Sequence, residues 1–365
     1  MCTFALIACE KNTDTPVVRI GHAPHDHHAA LYVAASKGDY FKEHHGAYLK
    51  SIEYRKKYNL YEGDKLLAII DIDSSTGGIN LIRRLDERIL DMAFGGVPAM
   101  ISLIDKGSDI KIIAPVMSEG ASLVVANGMP VSNWNEFVEY VKRSEKPVRI
   151  GYKVETSVQN LIFEKALSYE KLSFSKDIES EDVDVITINM HGPKNLIPSL
   201  SADIIDGFVV MQPYPALAEH SGAGKIISEL KSLPPKGKWE GHPCCALAAG
   251  SELLEKQRGI VEVLVGIFKH ANSYIIANPE ESAEIVAAWL ANPVDVEAGS
   301  LPTINFMNEY TDEWDNGITY WVRSLIDKGV IKGEILDASE DGAIEDVIYD
   351  ERFYKKNRLK AINED

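Results

Sequence analysis

The chain contains no apolar run approaching the ~20 residues that a spanning helix needs, which predicts a protein lying outside the bilayer. It contains no cluster of Lys and Arg, and its formal net charge is −17. Nucleic acid and anionic membrane surfaces are therefore disfavoured as partners, because both are held through clustered cations. A small anion in a pocket remains compatible with that charge, since backbone dipoles act locally and surface carboxylates are screened beyond ~8 Å. Low-complexity tracts are missing too, and none of the four cysteines has zinc-type spacing. With 45% hydrophobic and 25% charged residues the composition is that of an ordinary globular chain, and 365 residues suffice for two cores.

What the chain does have is an internal repeat. Residues 80–98, NLIRRLDERILDMAFGGVP, return without a gap as residues 195–213, NLIPSLSADIIDGFVVMQP. Leu81, Ile82, Leu85 and Ile89, and likewise Leu196, Ile197, Leu200 and Ile204, are spaced as one apolar face of a helix. Each copy passes through Asp91 or Asp206 into a short apolar strand, then into a loop holding Pro98 or Pro213. Helix, acidic turn, strand and loop in duplicate predict two lobes built alike. The same register assigns Asp91 and Asp206 to turns, not to a pair of catalytic carboxylates.

Residues 17–21 read as a β-branched strand running into the loop His22-Ala23-Pro24-His25-Asp26-His27-His28, with a helix from Ala29 onward. Residues 54–64 read as a polar connection, and 65–71 as a strand whose exit, Asp73-Ser74-Ser75-Thr76-Gly77-Gly78, opens the first repeat helix. Hydroxyls there would cap the helix and glycine would allow the turn, leaving N–H donors facing whatever sits beside them. Strands are expected at 111–116 and 121–126, and a crossing into the second lobe at the turn signals of 127–130. The second lobe begins with a strand at 147–151 and the loop Lys153-Val154-Glu155-Thr156-Ser157, and it returns over the Pro- and Gly-rich stretch 234–243. From Glu252 the pattern is helical, with helices expected at 258–277, 280–290 and 314–329. The expected units are a tether at 1–16, a first lobe at 17–127 plus 242–365, and a second lobe at 128–241.

One lobe, an excursion into a second and a return leave a cleft where the loops at the strands' carboxyl ends converge. The order of these features resembles the extracytoplasmic solute-binding proteins of ABC importers in the nitrate, sulfonate, taurine and thiamine-precursor group. It runs through the Ala-rich helix ending Gly-Asp-Tyr-Phe, the Ser75-Thr76-Gly77-Gly78 exit, the repeat strands, Thr156-Ser157 and Gln212-Pro213, over about residues 17–330. The resemblance implies an α/β chain of two similar Rossmann-like lobes joined by two crossover strands, the type II periplasmic-binding-protein fold, with C-terminal helices on the first lobe. It further implies capture of one small organic ligand by hinge closure, delivery to a membrane permease, and neither catalysis nor a cofactor. Carried over by position, the pocket would be lined by His25, Asp26, His27 and His28, by Ser75, Thr76 and Gly77, and by Gly95 and Gly96. The second lobe would supply Lys153, Thr156, Ser157, Gln212 and Tyr214. Independently of the resemblance, Ser75-Thr76-Gly77 and Thr156-Ser157 read as helix caps able to hold a carboxylate, sulfonate or phosphate.

Two features depart from that group. Four of the ten histidines fall within residues 22–28, a composition compatible with contact to an organic ligand or with a metal, although consecutive histidines on a helix diverge and no more than two could share an ion. His242-Pro243-Cys244-Cys245 is the other, and adjacent strand residues face opposite sides, placing one thiol in the core and one near the crossing. Yeast enzymes that make the thiamine pyrimidine are similar in fold, with a histidine in the first region and a longer cysteine run tied to iron, so an enzyme of that kind is the alternative reading, and a metal or metal-chelate receptor a third. At the N-terminus, Leu6-Ile7-Ala8-Cys9 resembles a lipobox, which would place a lipid anchor on Cys9 and the protein outside the cytoplasm.

Overall fold

The tetrapeptide Val-Arg-Ile-Gly occurs at residues 18–21 and again at 148–151, and each copy becomes the central parallel strand of its own sheet. The computed structural model describes residues 15–361 except Thr76, with side chains described as far as Lys356. Its strands are β1 (Val17–His22), β2 (Ala47–Glu53), β3 (Lys57–Glu62), β4 (Lys65–Ser74), β5 (Met92–Gly96), β6 (Ile110–Glu119), β7 (Ala121–Ala126), β8 (Val148–Tyr152), β9 (Phe174–Ser175), β10 (Val185–Asn189), β11 (Gly207–Met211), β12 (Gly224–Glu229), β13 (Pro243–Gly250) and β14 (Ile304–Phe306). The first sheet runs β14-β6-β13-β5-β1-β4-β3-β2 and the second β12-β7-β11-β8-β10-β9.

The two sheets share one plan. β1 lies parallel between β4 and β5, as β8 lies parallel between β10 and β11. Beyond them comes one antiparallel strand, β13 beside β5 and β7 beside β11, and in each sheet it is the strand that has just crossed from the other lobe. The repeat strands start and stop at equivalent positions, Met92 with Gly207 and Gly96 with Met211. Asp91 accepts the Arg19 backbone N–H at 2.7 Å and both arms of its guanidinium, and Asp206 does the same for Arg149 at 2.8 Å. Both aspartates thus pin the start of one strand to the start of its neighbour.

Hydrophobic spacing located the repeat helices but overran their ends. Leu81, Ile82 and Leu85 are buried on the helix Gly78–Asp86, as are Leu196 and Leu200 on the helix Leu196–Ser201, with Ile197 partly covered. Ile89 and Ile204 are exposed, because both helices have ended and the chain has turned; the next residues, Leu90 and Ile205, enter the core. There they close on Gly21 and Gly151, where a Cβ would stand 2.3 Å from Leu90 and 2.7 Å from Ile205. A glycine at that point of each central strand lets the helix-to-strand turn pack directly on the backbone.

Several expectations are corrected. The polar connection at 54–64 contains β3, which pairs with β2 and β4 in an antiparallel ribbon at the sheet edge, where one face stays wet and alternation is weak. The crossing expected at 127–130 comes earlier, at Glu119 and Gly120, since β6 belongs to the first sheet and β7 already to the second. The segment continuing from Ala29 is two helices, Ala29–Ser36 and Gly38–His45. The helix Arg258–Ala277 is, by length and composition, apolar enough to span a membrane, but ten of its residues, among them Leu264, Phe268 and Ile275, are buried within the first lobe. With it the helices Pro279–Leu290 and Asp312–Asp327 pack onto the first sheet's side of the molecule.

Lobe-to-lobe contacts bridge the cleft. Glu164, buried on the second-lobe helix Val158–Tyr169, takes an ion pair from Lys328 of the C-terminal helices, and His220 lies 3.0 Å from Asp295. Lys231 reaches Glu119, at the first crossing, at 2.8 Å.

Candidate functional site

The carboxyl ends of β1 and β5 in one lobe and of β8 and β11 in the other sit at the points where strand order reverses, and their loops face each other. Between them lies a cavity of about 30 Å³. That is room for little more than ordered water. His25, His28, Gly77, Gly95 and Gly96 from the first lobe and Lys153, Thr156 and Ser157 from the second line it.

The histidine loop owes its shape to Tyr32. From the helix Ala29–Ser36 its hydroxyl lies 3.0 Å from the Ala23 carbonyl and 3.1 Å from that of His25, and it accepts the His25 N–H at 3.3 Å. Residues Asp26–His28 are drawn into one 3-10 turn, and all three are buried. His25 and His28 rings lie 4.2 Å apart. Burial pushes the His22 imidazole down to about 4 and holds His25 and His28 well below the usual range, with repulsion from neighbouring histidines and Lys153 adding to the effect on the latter two. Neutral rings in this loop can donate or accept hydrogen bonds toward a ligand without a counter-ion.

The divergence expected of consecutive histidines is realised. His25 and His28 face the cavity, with Nδ1 of the first and Nε2 of the second buried and lacking any hydrogen-bond partner among the described residues. His27 turns behind the cavity wall, its Nε2 2.8 Å from the Gly120 carbonyl. Asp26 turns to the C-terminal helices, where the Ser300 hydroxyl donates to it; burial first and then Glu297 push its carboxyl well above the ordinary range.

A hydroxyl cap of the expected kind is present in the second lobe. Ser157 is the N-cap of the helix Val158–Tyr169, its side chain accepting the Asn160 N–H. Opposite, the N-cap of the helix Gly78–Asp86 is Gly77, in the left-handed region at φ +76°, and among the described residues no side chain caps the helix. A Cβ on Gly77 would come 2.8 Å from that of Ala23, so glycine meets both the dihedral and the packing need. The Ser75 hydroxyl is buried with no partner among the described residues. Thr76 and Cys9 lie outside the described residues. Gln212 does not line the cavity: its side chain accepts the Ala216 N–H at 3.3 Å and its backbone N–H donates to Gly120 at the crossing. Tyr214 stands beside it, half-buried, its phenol pushed up by burial.

Lys153 brings the second lobe's cation to the first lobe's thiols. Burial draws its ammonium below the usual range, while Cys244 and Cys245 pull it back up, and its Nζ rests 3.5 Å from the Met211 sulfur.

A model of the NMT1-like family matches residues 11–291. The chain belongs to the NMT1-like family. A relative, the uncharacterized protein MJ1180 of Methanocaldococcus jannaschii, is 32% identical over 123 residues, 33% of this chain and 85% of that protein. Among solved structures, the ligand-binding component of an ABC-type import system from Staphylococcus aureus, with zinc bound, matches at TM-score 0.71 and 18% identity over 94% of this chain and 99% of that one. The nitrate-binding protein NrtA of Synechocystis PCC 6803 matches at 0.68 and 13% identity over 94% and 88%. The alkanesulfonate-binding protein SsuA of Xanthomonas axonopodis pv. citri, bound to MOPS, matches at 0.64 and 12% identity over 87% and 95%. At such identities the likeness establishes the periplasmic-binding-protein fold for this NMT1-like chain.

Among the side chains on the cavity wall of this family member that sequence reasoning missed, three carry hydrogen-bonding or thiol groups: Gln159, Cys244 and Cys245. Gln159 is one helical turn past the Ser157 cap, buried, with its Oε1 unpaired among the described residues. Both thiols line the cavity, contrary to the expectation that they face opposite sides. Two register shifts between β13 and β6, on either side of Cys245, explain it: the bulge leaves Cys244 without an opposite residue and re-aims it beside its neighbour. Hydrogen bonding between the two thiols holds Cys244 well below the ordinary thiol range and pushes Cys245 well above it. A topological signal was available, because an antiparallel strand arriving from a crossing begins at the carboxyl ends of its parallel neighbours, which is the cleft.

Proposed function

We propose that this protein is the solute-binding component of an ABC importer, capturing a small organic molecule with an anionic or heterocyclic edge and presenting it to a membrane permease. The observation that carries this reading is the set of buried polar atoms on the cavity wall that have no partner among the described residues, supplied by both lobes: His25 Nδ1 and His28 Nε2 from one, Gln159 Oε1 from the other. Buried polar atoms without partners are costly, at ~1–3 kcal/mol each, so a cleft that gathers three of them is built to be completed by something that enters it. Lys153 beside them favours negative charge, and the hydrogen-bonding rings suit a flat polar edge. Solved proteins of this fold that bind nitrate or alkanesulfonates support the same ligand class. An extracytoplasmic location follows from that role, and attachment through a lipid on Cys9 is part of the proposal.

Native mass spectrometry of protein from its own host, followed by identification of the released compound, tests the reading. A stoichiometric organic compound that the protein leaves unchanged is expected. A compound altered on incubation would replace capture with the enzymatic alternative. The anchor is tested separately, by the mass of the N-terminal peptide beginning at Cys9.

A further inference from the structure

His27, Cys244 and Cys245 adjoin the polar set just described, the Gln159 amide donating to the Cys244 sulfur at 3.6 Å, and their own donor atoms all lie within 4.8 Å of one another. His27 Nδ1 is 3.5 Å from the Cys244 sulfur and 3.8 Å from that of Cys245. An ion bonded at about 2.0 Å to nitrogen and about 2.3 Å to sulfur holds those two donors roughly 3.6 Å apart at a tetrahedral angle, close to the spacing here. All three residues are buried.

Two further features fit ligation. The His27 ring is anchored through Nε2, which donates to the Gly120 carbonyl at 2.8 Å and leaves Nδ1 with its lone pair toward the thiols. An imidazole held by a carbonyl on its far nitrogen is the arrangement that fixes tautomer and aim in metal-ligating histidines. The second feature is the bulge, since a regular strand would have sent one of two adjacent thiols to the other face. Gly120 carries the same constraint from the other side, as a Cβ there would stand 2.9 Å from His27 Nε2.

We infer that His27, Cys244 and Cys245 form a three-ligand site for one thiophilic ion of the Zn²⁺ or Cu⁺ kind, with its remaining coordination position facing the interlobe cavity. Two sulfurs and an imidazole are soft donors, which hard oxygen-seeking cations do not prefer. Because Cys244 and Cys245 line the cavity, the open position is the one a captured molecule or a water would fill. The first crossing supplies the histidine's anchor and the return crossing supplies the thiols, so the ion would sit where both connections between the lobes meet.

The test needs no knowledge of the organic ligand. Reduced, metal-stripped full-length protein is titrated with Zn²⁺ against a chromophoric chelator, and in parallel with Co²⁺ while the near-ultraviolet thiolate-to-metal charge-transfer band is recorded. One ion per chain and a charge-transfer band are expected. Replacing both Cys244→Ser and Cys245→Ser removes the band, and His27→Gln, which deletes a ligand outright, weakens Zn²⁺ binding by at least the roughly 10- to 100-fold that loss of an outer-shell partner costs. Should the double variant lose its melting transition, each single serine variant is expected to lower the band's intensity by about half. Absence of stoichiometric uptake by the reduced wild type, or a band that the serine substitutions leave unchanged, overturns the assignment. Either result would leave the capture of an organic solute standing.

Discussion

Acid should loosen this protein through His22. The ring is 2% exposed, meets the Tyr32 hydroxyl and the Ala23 carbonyl at 3.2 Å each, and is flanked by the rings of Trp289 and His28. The Asp73 carboxylate favours protonation but is shared with both arms of Arg84 at 2.6 and 2.8 Å, and burial outweighs its pull. Burial lowers His22 from an ordinary 6.5 to about 4 in the folded protein. Between those values the unfolded chain binds a proton that the folded one refuses. Stability is therefore fully present above pH ~6.5, falls as pH drops toward ~4, and has no further His22 contribution to lose below that. At 1.36 kcal/mol per unit the loss is roughly 3 kcal/mol, and His25 and His28, lowered likewise, add to it in the same direction. Urea denaturation at steps from pH 7.5 to pH 4 measures it, with His22→Gln expected to remove the share of the slope that His22 contributes. A wild-type stability that is flat across that window, or a slope unchanged in His22→Gln, would refute the burial argument.

Other outcomes follow from the same geometry. Lys153→Met is expected to weaken capture of the compound recovered by native mass spectrometry at least about tenfold, read by titration calorimetry, because it removes the cleft's cation and leaves the thiols unopposed. Gly207→Ala places a Cβ 2.6 Å from the Val124 carbonyl oxygen, a backbone atom that cannot swing away, and should cost about 1–3 kcal/mol in urea melts. Asp91→Asn and Asp206→Asn each break an equivalent but partly solvated pair with arginine; roughly 1 kcal/mol apiece is expected, adding in the double variant because the sites lie in separate lobes. Trp321→Phe deletes the indole N–H that donates to the Pro243 carbonyl at 2.9 Å, and about 1–2 kcal/mol of destabilisation should appear in the same assay.

The duplicated unit could be read from spacing because it is local: an apolar helix face, an aspartate and a short strand lie within 19 consecutive residues. The Val-Arg-Ile-Gly strands were equally plain, yet their pairing with Asp91 and Asp206 joins residues 72 and 57 positions apart and needs the sheets to be assembled. Cavity positions such as His25, Lys153 and Ser157 were within reach because loops at strand ends are where such sheets bind. Asp26 and Gln212 sat in the same loops but turn elsewhere, one to Ser300 and Glu297, the other to Ala216, and no sequence pattern foretells the direction of a buried side chain.

By itself, then, the sequence determined that the chain makes two like α/β lobes, where their strands end, and that histidines and helix starts gather at the cleft, since periodicity and turn chemistry are written residue by residue. Only the tertiary structure decided that the crossing falls at Gly120, that a bulge turns both Cys244 and Cys245 to one side, and that His27 meets them across more than 200 residues of chain. Those outcomes depend on the register between strands that come from distant parts of the chain, and register is settled by packing, not by the order of residues along one strand.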